Sequence, residues 1–178
     1  VKGGRCVDTT MGLTPSGGLV MSTRTGDIDP GVILYLQGEK AMSLEEVNDA
    51  INNRGGLLGV SGISADMLEL LGREAGSPRA KDAVQLYCYQ ARKFIASLAS
   101  TLNGVDTVVF TAGIGENSPE IRRRIMAGLE FMGIELDSGL NLRGRGRISS
   151  RGSKAAVWVI GTDEEVMIAR KTFKLLRG

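Results

Sequence analysis

The chain has 178 residues, 42% of them hydrophobic, with 22 basic and 20 acidic side chains and no histidine. That size fits one domain or one large lobe with a real core. The net charge of +2 is too balanced to point to nucleic acid or membrane as a partner, and the lack of histidine excludes Ser-His-Asp, Cys-His and His-metal chemistry within the chain. Cys6 and Cys88 have no metal-ligand spacing and read as two reduced thiols of a cytosolic protein. No apolar run approaches the ~20 residues that span a bilayer.

The chain starts at Val1 without a methionine and enters a strand-like segment at once, so a piece of a longer polypeptide, or a processed chain, is expected. Gly4 to Thr10 reads as a strand edge running into a polar turn, and Met11 to Gly18 as loop, broken by Pro15 and Gly17-Gly18. Leu19-Val-Met21 is a short apolar stub. Ser22 to Pro30 is a dense polar turn, rich in hydroxyls and carboxylates around a single arginine, Arg24. Asp29 caps and Pro30 opens a short helix with Val32, Ile33 and Leu36 on one face. Ser43 begins the next helix, with Glu46 at the capping-box position, and Gly55-Gly56 stops it. Leu57 to Gly62 reads as a loop with apolar anchors. A further helix starts at Ser64 or Ala65, carries Met67, Leu70 and Leu71, and ends near Gly76.

Pro78 to Leu102 is the longest helical pattern. Ala83, Val84, Tyr87, Ala91, Phe94, Ile95, Leu98, Ala99 and Leu102 recur at three- and four-residue steps, a stripe wide enough for core and also for a subunit interface. Thr107 to Thr111 is a β-branched, apolar run expected to be a buried strand. Gly113 to Asn117 follows as a tight glycine loop, and Ser118-Pro119 opens a helix that runs to Met132 and stops at Gly133. A strand that passes through a glycine turn into a helix start presents free N–H groups and a positive dipole end. It is either a sharp turn or a site for a phosphate or a nucleotide edge. Leu140 to Gly152, with Arg143, Arg145, Arg147 and Arg151, reads as a solvated hairpin loop, since no aromatic is present to stack bases. Ala155 to Ile160 is a second buried strand, Thr162 or Asp163 a cap, and Glu164 to Leu176 the closing helix. The order of elements is α/β, with a sheet covered by helices. If the two strands are neighbours, their polar ends line one cleft.

Two readings stand for the charged candidates. Glu164 and Glu165 either complement a helix dipole or offer a carboxylate to Mg²⁺, a hard cation held through one or two carboxylates plus substrate phosphates. Arg24 either pairs with Asp27 or Asp29, or presents its guanidinium to a transferring phosphoryl group.

Five blocks taken in series resemble the acetate kinase family. They are Asp8-Thr-Thr-Met-Gly-Leu-Thr-Pro15 with Gly18 to Pro30, then Gly59-Val-Ser-Gly-Ile-Ser-Ala-Asp-Met67, Phe110-Thr-Ala-Gly-Ile-Gly-Glu-Asn117 and Thr162-Asp-Glu-Glu-Val-Met-Ile-Ala-Arg170. The resemblance covers essentially the whole chain and implies one lobe of the actin-like ATPase (ribonuclease H-like) fold. That lobe is the C-terminal, nucleotide-binding and dimerising one over residues 1–178, with the N-terminal lobe absent. It implies reversible phosphoryl transfer between ATP and acetate, giving acetyl phosphate and ADP, with Mg²⁺ or Mn²⁺, in a cytoplasmic homodimer without nucleic-acid or membrane partners. A propionate or butyrate kinase, or a non-catalytic nucleotide-binding or dimerisation module, are the alternatives. By the same resemblance Arg24 is the transition-state stabiliser. Asp66, Met67, Gly113, Ile114, Gly115, Glu116 and Asn117 contact ATP, and Glu164 is the metal carboxylate. Leu68 departs from the family, which commonly has Arg after Asp-Met. The family's first-lobe catalytic residues, its histidines and its His-x-Gly-Asn-Gly phosphate loop would all lie upstream of these blocks, so the chain by itself is expected to be inactive.

Overall fold

The computed structural model describes residues 1–177. The chain divides into two compact units, Val1–Val105 and the residues from Asp106 on.

The first unit is built from helices. α1 (Pro30–Gly38) starts where expected, with the Asp29 carboxylate accepting from the Gly31 amide and Pro30 in the first turn. Of its apolar residues, Ile33 and Leu36 are half-buried and Val32 is exposed. α2 (Leu44–Asn52) opens on a complete capping box between Ser43 and Glu46. Leu57 to Gly62 is not a loop: α3 (Gly56–Ser61) forms there, and Gly62 ends it in the left-handed region. Burial decides the matter. Leu57 is 0% exposed, and full burial of such a side chain contributes about 1.5–3 kcal/mol, more than the glycines cost the helix. α4 (Met67–Arg73) begins two or three residues later than expected, because the Asp66 side chain, not Ser64, accepts from the Glu69 amide. α5 (Pro78–Thr101) is capped by Ser77, and its Ala80, Ala83, Val84, Cys88, Ala91 and Ala99 are buried. α3 and α4 both pack on it. Burial pushes the Tyr87 phenol up to about 12, which keeps it neutral at ordinary pH. The strand expected at Gly4 to Thr10 does not form. Only an isolated Lys2–Arg5 bridge is present and the segment is exposed nearly throughout, because no described strand lies beside it to take its backbone hydrogen bonds.

The second unit holds the sheet. β1 (Thr107–Phe110) runs parallel to β3 (Ala156–Val159), with Thr107 opposite Ala156 and Phe110 opposite Val159. β2 (Gly146–Arg147) pairs antiparallel on the other side of β3, giving the order β1-β3-β2. The hairpin expected around the arginine-rich stretch is therefore real from Gly146 on, but α8 (Ser138–Arg143), capped by Asp137, precedes it. β3 is buried on one face only: Val157 and Val159 are inside, while Trp158 faces out beside Val109. α7 (Pro119–Met126) is shorter than the expected helix to Met132. It stops at Ala127-Gly128, where Gly128 takes φ 93°, and a single 3₁₀ turn over Glu130–Met132 leads into Gly133. Ile121, Ile125, Leu129, Ile134 and Ile148 complete the core of this unit. α9 (Glu164–Arg177) closes the chain with none of its residues buried, its apolar Val166, Ile168, Phe173 and Leu176 included. The result is α/β, a small mixed sheet with helices around it, as the order of elements predicts.

Candidate functional site

The expected glycine loop after β1 is a helix. Thr111 stays extended, Ala112 turns the chain at φ 57°, and α6 (Ala112–Asn117) follows at once. A residue with a Cβ in that region costs about 1 kcal/mol, so neighbouring contacts must hold it. One is the Glu116 carboxylate, which accepts from the Ala112 amide at 2.6 Å. Another is Asn117, whose side-chain amide donates back to the Gly113 carbonyl at 2.8 Å. Ser118 caps α7 by accepting from the Ile121 amide, as the Ser-Pro pair predicts.

Beneath α6 lies a group that sequence reasoning missed. Arg122 is 0% exposed. Its guanidinium donates to the Gly115 and Glu116 carbonyls at 2.8 Å each, to Asn141 Oδ1 at 2.9 Å and to the Asn141 carbonyl at 2.7 Å. Asn141 in turn donates to the Pro119 carbonyl. Burial lowers the Arg122 pKa, yet a guanidinium stays charged. The cation is thus held by carbonyl dipoles at the end of α6 and within α8. The signal was present in the pattern: Ile121, Arg122, Ile125 and Met126 form one buried stripe of α7, and one of its four positions carries a charge.

The two strands are neighbours, as the cleft required, and parallel, so their C-terminal ends lie side by side. Glu116 Oε1 crosses from one end to the other and accepts from both the Thr162 amide and the Thr162 hydroxyl at 3.0 Å. The Thr162 amide first, with the hydroxyl and the Ala112 amide behind it, holds the Glu116 carboxyl below the usual glutamate range against the opposing effect of burial. Asp163, not Thr162, caps α9 by accepting from the Val166 amide at 2.9 Å. Glu164 is exposed and has no hydrogen bond or ion pair among the described residues. Thr162, Glu164, Met167 and Lys171 line a shallow depression beside it.

Gly113 has room on every side: a Cβ there meets nothing within 4 Å, and its φ is ordinary. At Gly115 a Cβ makes only ordinary contact with Phe110. No described neighbour therefore demands glycine at Gly113, whereas close approach of a ligand to the backbone would.

In the first unit the Arg24 turn is fixed by backbone. Met21 donates to the Arg24 carbonyl, Thr25 to the Ile51 carbonyl, and Leu57 and Leu58 donate to the Met21 and Ser22 carbonyls. Gly56, at φ 60°, lets the start of α3 pass close to Met21 and Arg24. Asp27 is engaged by the Gly18 amide and Asp29 by the Gly31 amide. The Arg24 guanidinium is exposed and has no partner among the described residues, so the pairing with Asp27 or Asp29 is not made. Asp66 and Met67 start α4, where Asp66 serves as cap and the Met67 side chain is buried. Leu68 is 78% exposed.

The expected site residues thus fall into two groups. Gly113 to Asn117 and Glu164 are brought together across the ends of β1 and β3; Arg24, Asp66 and Met67 belong to the first unit. No group of three or more Cys, Asp or Glu side chains suited to a metal lies among the described residues. An all-protein cage is therefore absent there, while an exposed, unpartnered Glu164 suits Mg²⁺ that draws its other oxygens from phosphate and water.

A strand–helix junction doubled across parallel neighbours, with open glycine backbone on one side and, among the described residues, an unengaged carboxylate on the other, is an α/β arrangement whose strand ends can take a nucleotide or a phosphate. The profile of the acetokinase family matches residues 1–170. The chain is 46% identical over 181 residues to the acetate kinase of Treponema denticola, covering 99% of this chain and 45% of that protein. It is 49% identical over 176 residues to that of Clostridium botulinum, covering 97% and 44%. The Porphyromonas gingivalis acetate kinase structure superposes with TM-score 0.87 at 41% identity, covering 94% of this chain and 43% of that one. A propionate kinase structure from Francisella tularensis gives 0.86 at 40% identity, covering 91% and 42%. The chain belongs to the acetokinase family, and the actin-like ATPase fold expected from the resemblance is consistent with these structures. It spans about 45% of the length of the curated relatives it matches.

Proposed function

We propose that this chain supplies the nucleotide side of an acyl kinase, the C-terminal lobe over residues 1–178, in which the γ-phosphoryl of ATP passes reversibly to acetate, giving acetyl phosphate and ADP. The observation that carries the reading is the pair of parallel strand ends, with open backbone at Gly113 and a free carboxylate at Glu164. The backbone of Gly113 to Asn117, with Asp66 and the backbone of Met67, takes the adenosine side of ATP. Glu164 contributes an oxygen to Mg²⁺ or Mn²⁺, which offsets phosphate charge when bound. Arg24 meets the charge that builds on the equatorial oxygens of the transferring group. Its lack of a partner among the described residues fits that task, since a pre-paired guanidinium would first have to break its own bond. The whole protein acts in the cytoplasm as a homodimer, for which the half-covered flank of α5 around Phe94 and Leu98 is the candidate contact, to be checked by sedimentation. The 178-residue chain on its own turns nothing over.

Arg24→Ala is the sharpest test. Because the side chain has no partner among the described residues, thermal stability is expected to change by less than ~0.5 kcal/mol, while kcat of the intact protein falls by roughly 10³-fold. Unchanged kcat would remove Arg24 from the chemistry. Because one of the similar structures is a propionate kinase, a propionate-directed enzyme is the second reading. A panel of acetate, propionate and butyrate on the intact protein separates the two by kcat/KM.

A further inference from the structure

Glu116 lies in the segment that the resemblance assigns to ATP, yet one of its oxygens is already engaged. Oε1 accepts from the Ala112 amide at 2.6 Å and from the Thr162 amide and hydroxyl at 3.0 Å each. Those donors belong to different strand ends, and Glu116 and Thr162 are 46 residues apart in sequence. On its own side the backbone of Glu116 is pinned from below, since the buried Arg122 donates to the Gly115 and Glu116 carbonyls. On the far side Thr162 stands two residues before Glu164, and α9, which begins there, has no buried residue to fix its start. Besides the β1–β3 ladder, the Glu116–Thr162 bonds are the hydrogen bonds that tie the end of β3 to α6.

We propose that Glu116 is a positioning residue: its Oε1 is a strut from the Arg122-anchored α6 to Thr162, and it sets where the α9 carboxylate Glu164 stands relative to the open backbone of Gly113. This rests on the nucleotide reading above and adds to it how the metal side is aligned with the nucleotide side. The chemistry needed at residue 116 is an acceptor oxygen, not a charge. A glutamine supplies that oxygen at the same reach, and an alanine does not. The Thr162 hydroxyl acts in the same link, so removing it together with the Glu116 carboxylate costs no more than removing the carboxylate alone.

The test uses the 178-residue chain with Glu116→Ala, Glu116→Gln, Thr162→Val and the Glu116→Ala/Thr162→Val double variant. Calorimetry is run with ATP in Mg²⁺ and with ATP in EDTA, and amide exchange is followed at Ala112 and Thr162. Expected for Glu116→Ala is a Kd for Mg-ATP raised about tenfold or more, the size usual when a group that orients a metal ligand is lost, with the Kd for metal-free ATP within twofold. Glu116→Gln stays within about threefold of the unsubstituted chain, and the double variant matches Glu116→Ala. The Thr162 amide is protected in the unsubstituted chain and loses that protection in Glu116→Ala. An equal loss with metal-free ATP makes Glu116 a direct nucleotide contact and overturns the proposal. So does a Gln variant as damaged as Ala, which points to a metal ligand through Oε2. Fast exchange at Thr162 in the unsubstituted chain overturns the strut while leaving the nucleotide reading intact. Failure of the unsubstituted chain to bind Mg-ATP overturns the nucleotide reading, and the alignment role with it.

Discussion

The Arg24 turn and the Gly113–Asn117 helix each present a candidate functional group, but they are held by opposite means. The Arg24 turn is fixed by main-chain hydrogen bonds from Met21, Thr25, Leu57 and Leu58, and by glycines that let strands of backbone pass close. Its one long side chain is left unengaged. The segment α6 is fixed by side chains, with Arg122 below, Glu116 across and Asn117 along the helix, and its backbone is left open at Gly113. Each region spends one kind of group on its own structure and leaves the other kind for a ligand. A backbone-held turn should therefore tolerate truncation and fail when a Cβ is added. A side-chain-held one should do the reverse.

The largest expected effect is Arg122→Ala. It leaves the buried Asn141 acceptors and the part-buried Gly115 and Glu116 carbonyls without donors and opens a hole in the stripe with Ile121, Ile125 and Met126. A loss of about 3 kcal/mol or more is expected in urea unfolding. A loss below about 1 kcal/mol would show that α6 is not held from beneath. Next comes Gly56→Ala in the first unit. The added methyl meets the Met21 carbonyl oxygen and must take a φ of 60°, a cost of about 1–3 kcal/mol. The midpoint shift in the same assay reads it, and a neutral substitution would break the claim that backbone proximity fixes the Arg24 turn. Smallest is Glu120→Gln. Glu120 is held at about 2 by its hydrogen bond to Arg123 first and then by Arg124, against a usual value of 4.5. Its folded pKa is depressed, so its contribution is present above pH ~4.5 and is lost as the pH falls towards about 2. The pair is half-exposed and is worth under about 1 kcal/mol. The Tm gap between the unsubstituted chain and Glu120→Gln should be small at pH 7 and close between pH 4.5 and 2, whereas the buried Arg122 gives no such acid dependence. A gap that persists at pH 2 would mean that the carboxylate is not what stabilises.

The helix starts were legible because their chemistry is local. Asp29, Ser43 with Glu46, and Ser118 with Pro119 each satisfy orphan amides within three residues, and the sequence states both partners. α5 was legible because its apolar period runs for many turns. What escaped depends on distant partners. α3 and α6 are short and glycine-bearing, so propensity argues for loop, and they exist because Leu57 is buried in one case and because Arg122 and Glu116 grip the backbone in the other. The strand expected at Gly4 to Thr10 had the right residues and no described neighbour to pair with. At the site, the order of elements left the adjacency of the two strand ends as a condition for one cleft, and the parallel pairing of β1 with β3 meets it. The Glu116–Thr162 link was not legible, because it joins residues 46 apart through a side chain whose obvious role was ligand contact.

The central claim is that the open backbone after β1 receives a nucleotide. Gly113→Leu tests it most directly, because the residue is exposed, a Cβ there meets nothing within 4 Å and no positive φ is strained. The variant is expected to melt at or slightly above the temperature of the unsubstituted chain, since leucine is the better helix former, and to lose Mg-ATP binding measured by calorimetry. A Gly113→Leu chain that binds Mg-ATP as tightly as the unsubstituted one would contradict it.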